Sequence, residues 1–163
     1  MKILVPVDGS LASFNAAKKS AEIAKKHDDA VVLLITVTED EHISRQRRSA
    51  KLWRQVDGSI ISGVTRTVDD EELTAEIREN AMELLDSLTE ELDFGDAKIE
   101  KFVLTGEPYH MILDTAKGVK ADLIVMGNRG FSKIKRFFTG SVTQRVISEA
   151  PCPVLVIHTD AED

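Results

Sequence analysis

The sequence predicts an α/β fold: an open parallel sheet with helices on both faces. Two observations predict it. Short apolar runs of strand type alternate along the chain with segments whose apolar residues recur at helical spacing. One run, Ala30 to Val37, is nearly continuous Val, Leu and Ile, the composition of a strand buried on both faces of a parallel sheet. Strand–helix–strand units of this kind cross over right-handed.

Each element follows in order. Lys2 to Val7 reads as the first strand, closed by the turn residues Asp8-Gly9-Ser10. Leu11 to His27 carries Phe14, Ala17, Ala21 and Ala24 at helical spacing, with Asp8 or Ser10 as its cap. Ala30 to Val37 is the second strand. From Thr38 to Val68 the chain is polar and irregular, and only its middle, Ser44 to Val56, suggests a short basic helix carrying Trp53. From about Val68 a long helix is expected. Leu73, Ile77, Ala81, Leu84, Leu85, Leu88 and Leu92 form its apolar stripe, and Gly95 lies near its end.

Lys98 to Leu104 alternates in part and reads as the third strand. Pro108 suits the first turn of the next helix, Ile112 and Ala116 its buried face, and Gly118 its stop. Leu123 to Met126 is the fourth strand, Val142 to Ile147 opens the last helix, and Val154 to Ile157 is the fifth strand.

A length of 163 residues suits one domain, and an apolar share of 42 % is enough for a real core. No run of apolar residues is long enough for a membrane helix. Lys2 is followed by a short apolar run broken by Pro6 and Asp8, which is not a signal-peptide pattern, so a soluble cytoplasmic protein is expected. The lone Cys152 has no internal disulfide partner and suits a reducing compartment. A net charge of −7 argues against general nucleic-acid binding. Two basic clusters stand out locally: Arg45, Arg47, Arg48, Lys51 and Arg54, which read as a solvated face or partner surface, and Lys133, Lys135 and Arg136.

The second cluster falls inside the most informative motif. Met126-Gly127-Asn128-Arg129-Gly130 is followed, after nine residues, by Gly140-Ser141-Val142. The motif begins at a strand end and finishes where a helix begins. Glycine allows close backbone approach, and a helix start presents unpaired N–H groups with roughly half a positive charge. Together these make a cradle for phosphate. The same glycines are equally suited to ordinary turns. Ser141-Val142-Thr143-Gln144 also reads as a capping box, with the Ser141 hydroxyl as the cap.

Competing chemistries find little support. His27, His42, His110 and His158 lack metal-ligand spacing. Neither a Walker loop nor a G-x-G-x-x-G run is present. No set of nucleophile, base and orienting group can be assembled from the sequence.

The spaced pattern G-x2-G-x9-G-S, with Met126 before it and Val142-Thr143 after it, resembles the nucleotide-binding signature of the universal stress protein family, in its ATP-binding subgroup. Lys2 to Ser10 resembles that family's first strand and turn, and Pro151 to Ile157 its last strand. The resemblance covers nearly the whole chain except about 38–68, where the family varies. It implies the sheet order 3-2-1-4-5, with an adenine nucleotide at the carboxyl ends of strands one and four. ATP is the implied ligand, with ADP or AMP as alternatives and Mg²⁺ as a companion.

In that reading Pro6 and Val7 border the base, Asp8 lies against the ribose, and the backbone of Val37 holds adenine. Gly127, Gly130, Gly140 and Ser141, flanked by Met126 and by Val142 and Thr143, form the nucleotide-binding signature on the phosphate side; Arg129, like Lys133, Lys135 and Arg136, reads equally as a neutraliser of phosphate charge or as a solvated loop residue. The residues themselves leave Asp8 open as a turn residue and Val37 as a plain core valine. The family also implies a homodimer paired through Val154 to Ile157, and a regulatory role in stress response rather than fast catalysis. Slow hydrolysis, or self-phosphorylation at Ser141 or Thr143, remains open by analogy. A dimeric interaction module without nucleotide is the alternative, and an intact glycine signature argues against it. An enzyme of the wider adenine-nucleotide α-hydrolase group would need a further substrate domain, for which the chain is too short.

Overall fold

The sheet is parallel because every connection returns over one of its faces through a helix. In the computed structural model, which describes residues 1–38, 70–128 and 139–158, the order is β1 (Lys2–Pro6), α1 (Leu11–Ala24), β2 (Val31–Thr38), α2 (Asp70–Glu91), β3 (Lys98–Thr105), α3 (Pro108–Val119), β4 (Leu123–Gly127), α4 (Ser141–Glu149) and β5 (Val154–Ile157). The five strands form one sheet in the order β3-β2-β1-β4-β5, and every pair is parallel. This is the topology the resemblance implied. The basic helix expected over Ser44 to Val56 lies outside the described residues.

Strand alternation divides the core in two. On one face Ile3, Val5, Val7, Val32, Leu34 and Val125 pack against α1 and α2. The α1 contribution is small side chains, Ala16, Ala17, Ala21 and Ala24, so that helix lies close to the sheet. On the other face Leu4, Leu33, Ile35, Ile124 and Met126 meet Ile112, Leu113 and Ala116 of α3 and Val146 of α4. The central strands are therefore apolar on both sides, which explains the unbroken run in β2. Each fully buried Leu or Ile contributes about 1.5–3 kcal/mol relative to exposure.

Helix ends differ from the sequence expectation at three places. The first helix stops at Ala24 rather than His27, because Lys26 and His27 donate to Ile23 and Ala24 in tighter three-residue turns, at 3.0 Å each. The third helix does not stop at Gly118. Gly118 is helical, and the left-handed closing residue is Lys120, at φ 54°. Lys120 N–H donates to Lys117 and Ala121 N–H to Ala116, which closes a Schellman motif around a residue with a Cβ. The last helix is capped one residue earlier than the capping box required: Gly140 is the N-cap, extended at ψ 151°, and no side chain among the described residues caps it. Ser141 has already entered the helix and cannot reach back over the turn.

Candidate functional site

The two strands at the centre of the sheet send the chain to opposite faces. After β1 it enters α1, on one side; after β4 it returns as α4, on the other. The carboxyl ends of β1 and β4 are thus a topological switch point, and the notch expected there is where ligands sit in sheets of this kind. Ile3 and Leu4 pair with Leu123 and Ile124. Strand β1 ends at Pro6 and β4 at Gly127, so Val7 and Asp8 follow the end of one strand and Asn128 the end of its neighbour.

The β1 wall of the notch is held by hydrogen bonds that its own sequence supplies. Val7 N–H donates to Ile35 at 2.8 Å, and its carbonyl accepts from the Thr36 hydroxyl at 3.0 Å. Gly9 takes φ 83°, where a side chain would be strained, and so turns the chain into α1. Ser10 N–H and the Ser10 hydroxyl both donate to Asp8 Oδ1, at 3.0 and 2.6 Å. Ser10 Oγ in turn caps α1 by accepting from Ser13 N–H at 3.2 Å. Asp8 is thus a turn residue, as one reading of the sequence had it. Its Oδ1 is occupied within the turn, while the exposed carboxylate keeps Oδ2 for a ligand.

Beside it, β2 runs past the end of β1. The last pair between them is Pro6 with Ile35, whereas β2 continues to Thr38 against β3. Val37 is half-buried, and the edge of its backbone that faces away from β3 lies beyond the β1 ladder. Such an edge can exchange hydrogen bonds with a planar heterocycle as it would with a strand.

On the β4 side, Met126 belongs to the core. Gly127 is needed for packing: a Cβ there would stand 2.6 Å from Ala12 Cβ and 2.7 Å from the Ala12 carbonyl carbon. Helix α1 therefore occupies the space that a side chain at 127 would take. Asn128 N–H donates to Ile157 at 2.9 Å, and its carbonyl accepts from Gly140 N–H at 2.8 Å, so the returning chain is tied to the end of β4. Thr143 is buried and donates its hydroxyl to the Gly127 carbonyl at 3.0 Å. Its side chain thus fastens α4 to β4, while its amide stays at the helix start. The first intrahelical bond of α4 is Gln144 N–H to Gly140, at 3.0 Å. The amides of Ser141, Val142 and Thr143 precede it and are left for a ligand. Arg129 and Gly130, with Lys133, Lys135 and Arg136, lie outside the described residues.

The residues present fit a nucleoside phosphate. Donor N–H groups and the positive end of a helix dipole stand on one side of the notch. A carboxylate able to accept from hydroxyls stands at its β1 wall, and a free strand edge lies beyond it. Among the described residues, no group of three His, Cys, Asp or Glu side chains is placed to hold a metal ion. Burial first, then the negative charge of Asp122, push the Cys152 thiol above its ordinary value, which makes it a poor nucleophile. One residue of the site escaped the sequence reading. Asn128 is buried, with Oδ1 unpaired among the described residues and Nδ2 3.2 Å from His158 Nδ1. Its place inside the glycine motif was the only available signal.

Comparison with known proteins points the same way. The model of the Universal stress protein family matches residues 1–158. A universal stress protein of Methanocaldococcus jannaschii is 33 % identical over 156 residues, covering 96 % of this chain and 81 % of its own. Among solved structures, universal stress protein UspA from Lactobacillus plantarum superposes with a TM-score of 0.65 at 29 % identity, covering 96 % of this chain and 97 % of its own. A universal stress protein from Archaeoglobus fulgidus, solved in complex with dAMP, gives 0.55 at 25 % identity, covering 96 % of this chain and 97 % of its own.

Proposed function

The chain belongs to the universal stress protein family, and from that premise we propose that it is an ATP-binding regulatory protein of the stress response. The observation that supports the reading is that α4, with the amides of Ser141, Val142 and Thr143 at its start, follows strand β4, while Asp8 follows the neighbouring strand β1. Phosphates dock on those amides, with Gly140 leading into them. Asp8 accepts from the ribose hydroxyls through Oδ2. Adenine lies against Pro6 and Val7 and bonds to the backbone of Val37. ADP and AMP use the same contacts with fewer phosphates, and Mg²⁺ reaches the site on the phosphates, its customary mode of binding. The dAMP complex of the A. fulgidus relative supports an adenine nucleotide as the ligand class.

The protein acts by binding and by changing its partners, not by fast chemistry. It works in the cytoplasm as a homodimer. Strand β5 is a sheet edge, apolar and half-buried, and antiparallel pairing with its copy across a two-fold axis would satisfy both edges. Among the described residues no helix is long and apolar enough to cross a membrane. Mass spectrometry of the purified, denatured protein after incubation with ATP tests the reading. Adenine nucleotide retained at one per chain supports it; a chain that retains none is an interaction module instead.

A further inference from the structure

Asn128 holds a buried side-chain oxygen with no hydrogen-bond partner among the described residues. The residue is 5 % exposed, so water does not readily compensate. A buried amide left half-satisfied is destabilising and calls for a missing partner. Its position says which one. Alternation along β4 puts the Asn128 side chain on the face of Met126, where α4 packs, and opposite to Gly127, which faces α1. Its own carbonyl accepts from Gly140 N–H, the N-cap residue of α4. Asn128 is therefore tied through its backbone to the cap of α4 and through its side chain to the residue that follows β5. The amide nitrogen meets His158, an exposed residue directly after β5, across 3.2 Å between Nδ2 and Nδ1.

As placed, the amide gives Nδ2 to His158 and leaves Oδ1 over, an acceptor and so the wrong polarity for an anion. An amide is nearly symmetric in shape, so turning it over exchanges acceptor for donor at little steric cost. Histidine can follow, because either ring nitrogen of the neutral imidazole carries the proton.

We propose that Asn128 reads the phosphate of the bound nucleotide, and that His158 sets which way its amide faces. This rests on the nucleotide reading above. When a phosphoryl group docks on the first turn of α4, the amide turns over. Nδ2 then donates to a phosphate oxygen, and Oδ1 accepts from His158 Nδ1–H. The imidazole loses its proton from Nε2 to solvent and takes one at Nδ1, so no net proton is gained. The buried oxygen is satisfied in the liganded state and not in the free one, which makes the residue selective for phosphorylated ligands.

The test uses the whole chain at about pH 8. In ¹⁵N NMR with labelled histidine, ATP moves the His158 proton from Nε2 to Nδ1, whereas adenosine, which has no phosphate, does not. By calorimetry Asn128→Ala weakens ATP binding about tenfold or more, the loss of one charge-assisted hydrogen bond. Asn128→Asp weakens it further, since a carboxylate cannot donate. An unchanged His158 tautomer on ATP binding overturns the proposal, as does wild-type ATP affinity in Asn128→Ala or tighter binding in Asn128→Asp than in Asn128→Ala. If Asn128→Ala does not fold, the tautomer of the wild-type protein decides. If the wild-type protein binds no ATP, the nucleotide reading falls as well; if it binds ATP without moving the proton, only this proposal falls.

Discussion

Gly127→Ala tests whether helix α1 shapes the phosphate side of the notch. The added Cβ would stand 2.6 Å from Ala12 Cβ, 2.7 Å from the Ala12 carbonyl carbon and 3.0 Å from its oxygen. Carbon atoms rest at about 3.5–4.0 Å, so α1 and β4 must part by roughly 1 Å. Two of the three opposing atoms are backbone, and no rotamer change relieves them. Over-packing of this kind costs about 1–3 kcal/mol. In a chain of this size that lowers Tm by roughly 2–4 °C per kcal/mol, or roughly 2–12 °C altogether.

Because Ser10 and Asp8 are tied to the first turn of α1, ATP affinity should fall with the displacement. Ala12→Gly in the same chain removes the nearest contact and leaves the two backbone ones. It should therefore recover part of the loss but not all, appearing as a favourable coupling in a double-mutant cycle. Thermal and urea denaturation read both effects. A Gly127→Ala protein that melts with the wild type, or a double variant with no coupling, would refute the reasoning.

Other expectations are independent of that contact. Asp8→Ala should weaken ATP binding by about 1–3 kcal/mol in calorimetry, the usual cost of a lost charge-assisted hydrogen bond; equal affinity would leave Asp8 a turn residue only. Lys120→Gly should raise stability by about 1 kcal/mol in urea denaturation, since Lys120 bears a left-handed strain that glycine lacks, and no change would mean its motif is already relaxed. Val156→Lys should shift the sedimenting species toward monomer, and a wild-type protein already monomeric at micromolar concentration would sink the β5 pairing. Cys152 should be alkylated at pH 7.5 more slowly than a free thiol, because burial and Asp122 raise its pKa and shrink the thiolate fraction; a rate matching glutathione would contradict that.

The sheet was legible because burial on both faces writes itself into β2 as an unbroken apolar run, and because each helix carries its stripe at helical spacing. The strand order came from the resemblance, since periodicity carries no information on which strands are neighbours. Helix ends were read less well. A glycine near a helix end was taken as the stop at Gly118, while the fold put Lys120 in the left-handed position. At α4 the sequence offered a serine with a glutamine three residues on, yet the chain placed Gly140 at the cap, because Gly140 N–H is tied to the Asn128 carbonyl and fixes where the turn begins. Gly127 was visible as a glycine but not as one reserved for Ala12, a partner 115 positions away in the chain (127 − 12). Asn128 could not be ranked above its neighbours until its burial was known.

A crystal structure of the full-length protein soaked with ATP and Mg²⁺ tests the central claim most directly. The account predicts phosphates on the amides of Ser141, Val142 and Thr143, ribose hydroxyls at Asp8 Oδ2, and adenine against the backbone of Val37. Nucleotide bound away from the notch between β1 and β4, or a first turn of α4 that stays free of phosphate at saturating ATP, would contradict it.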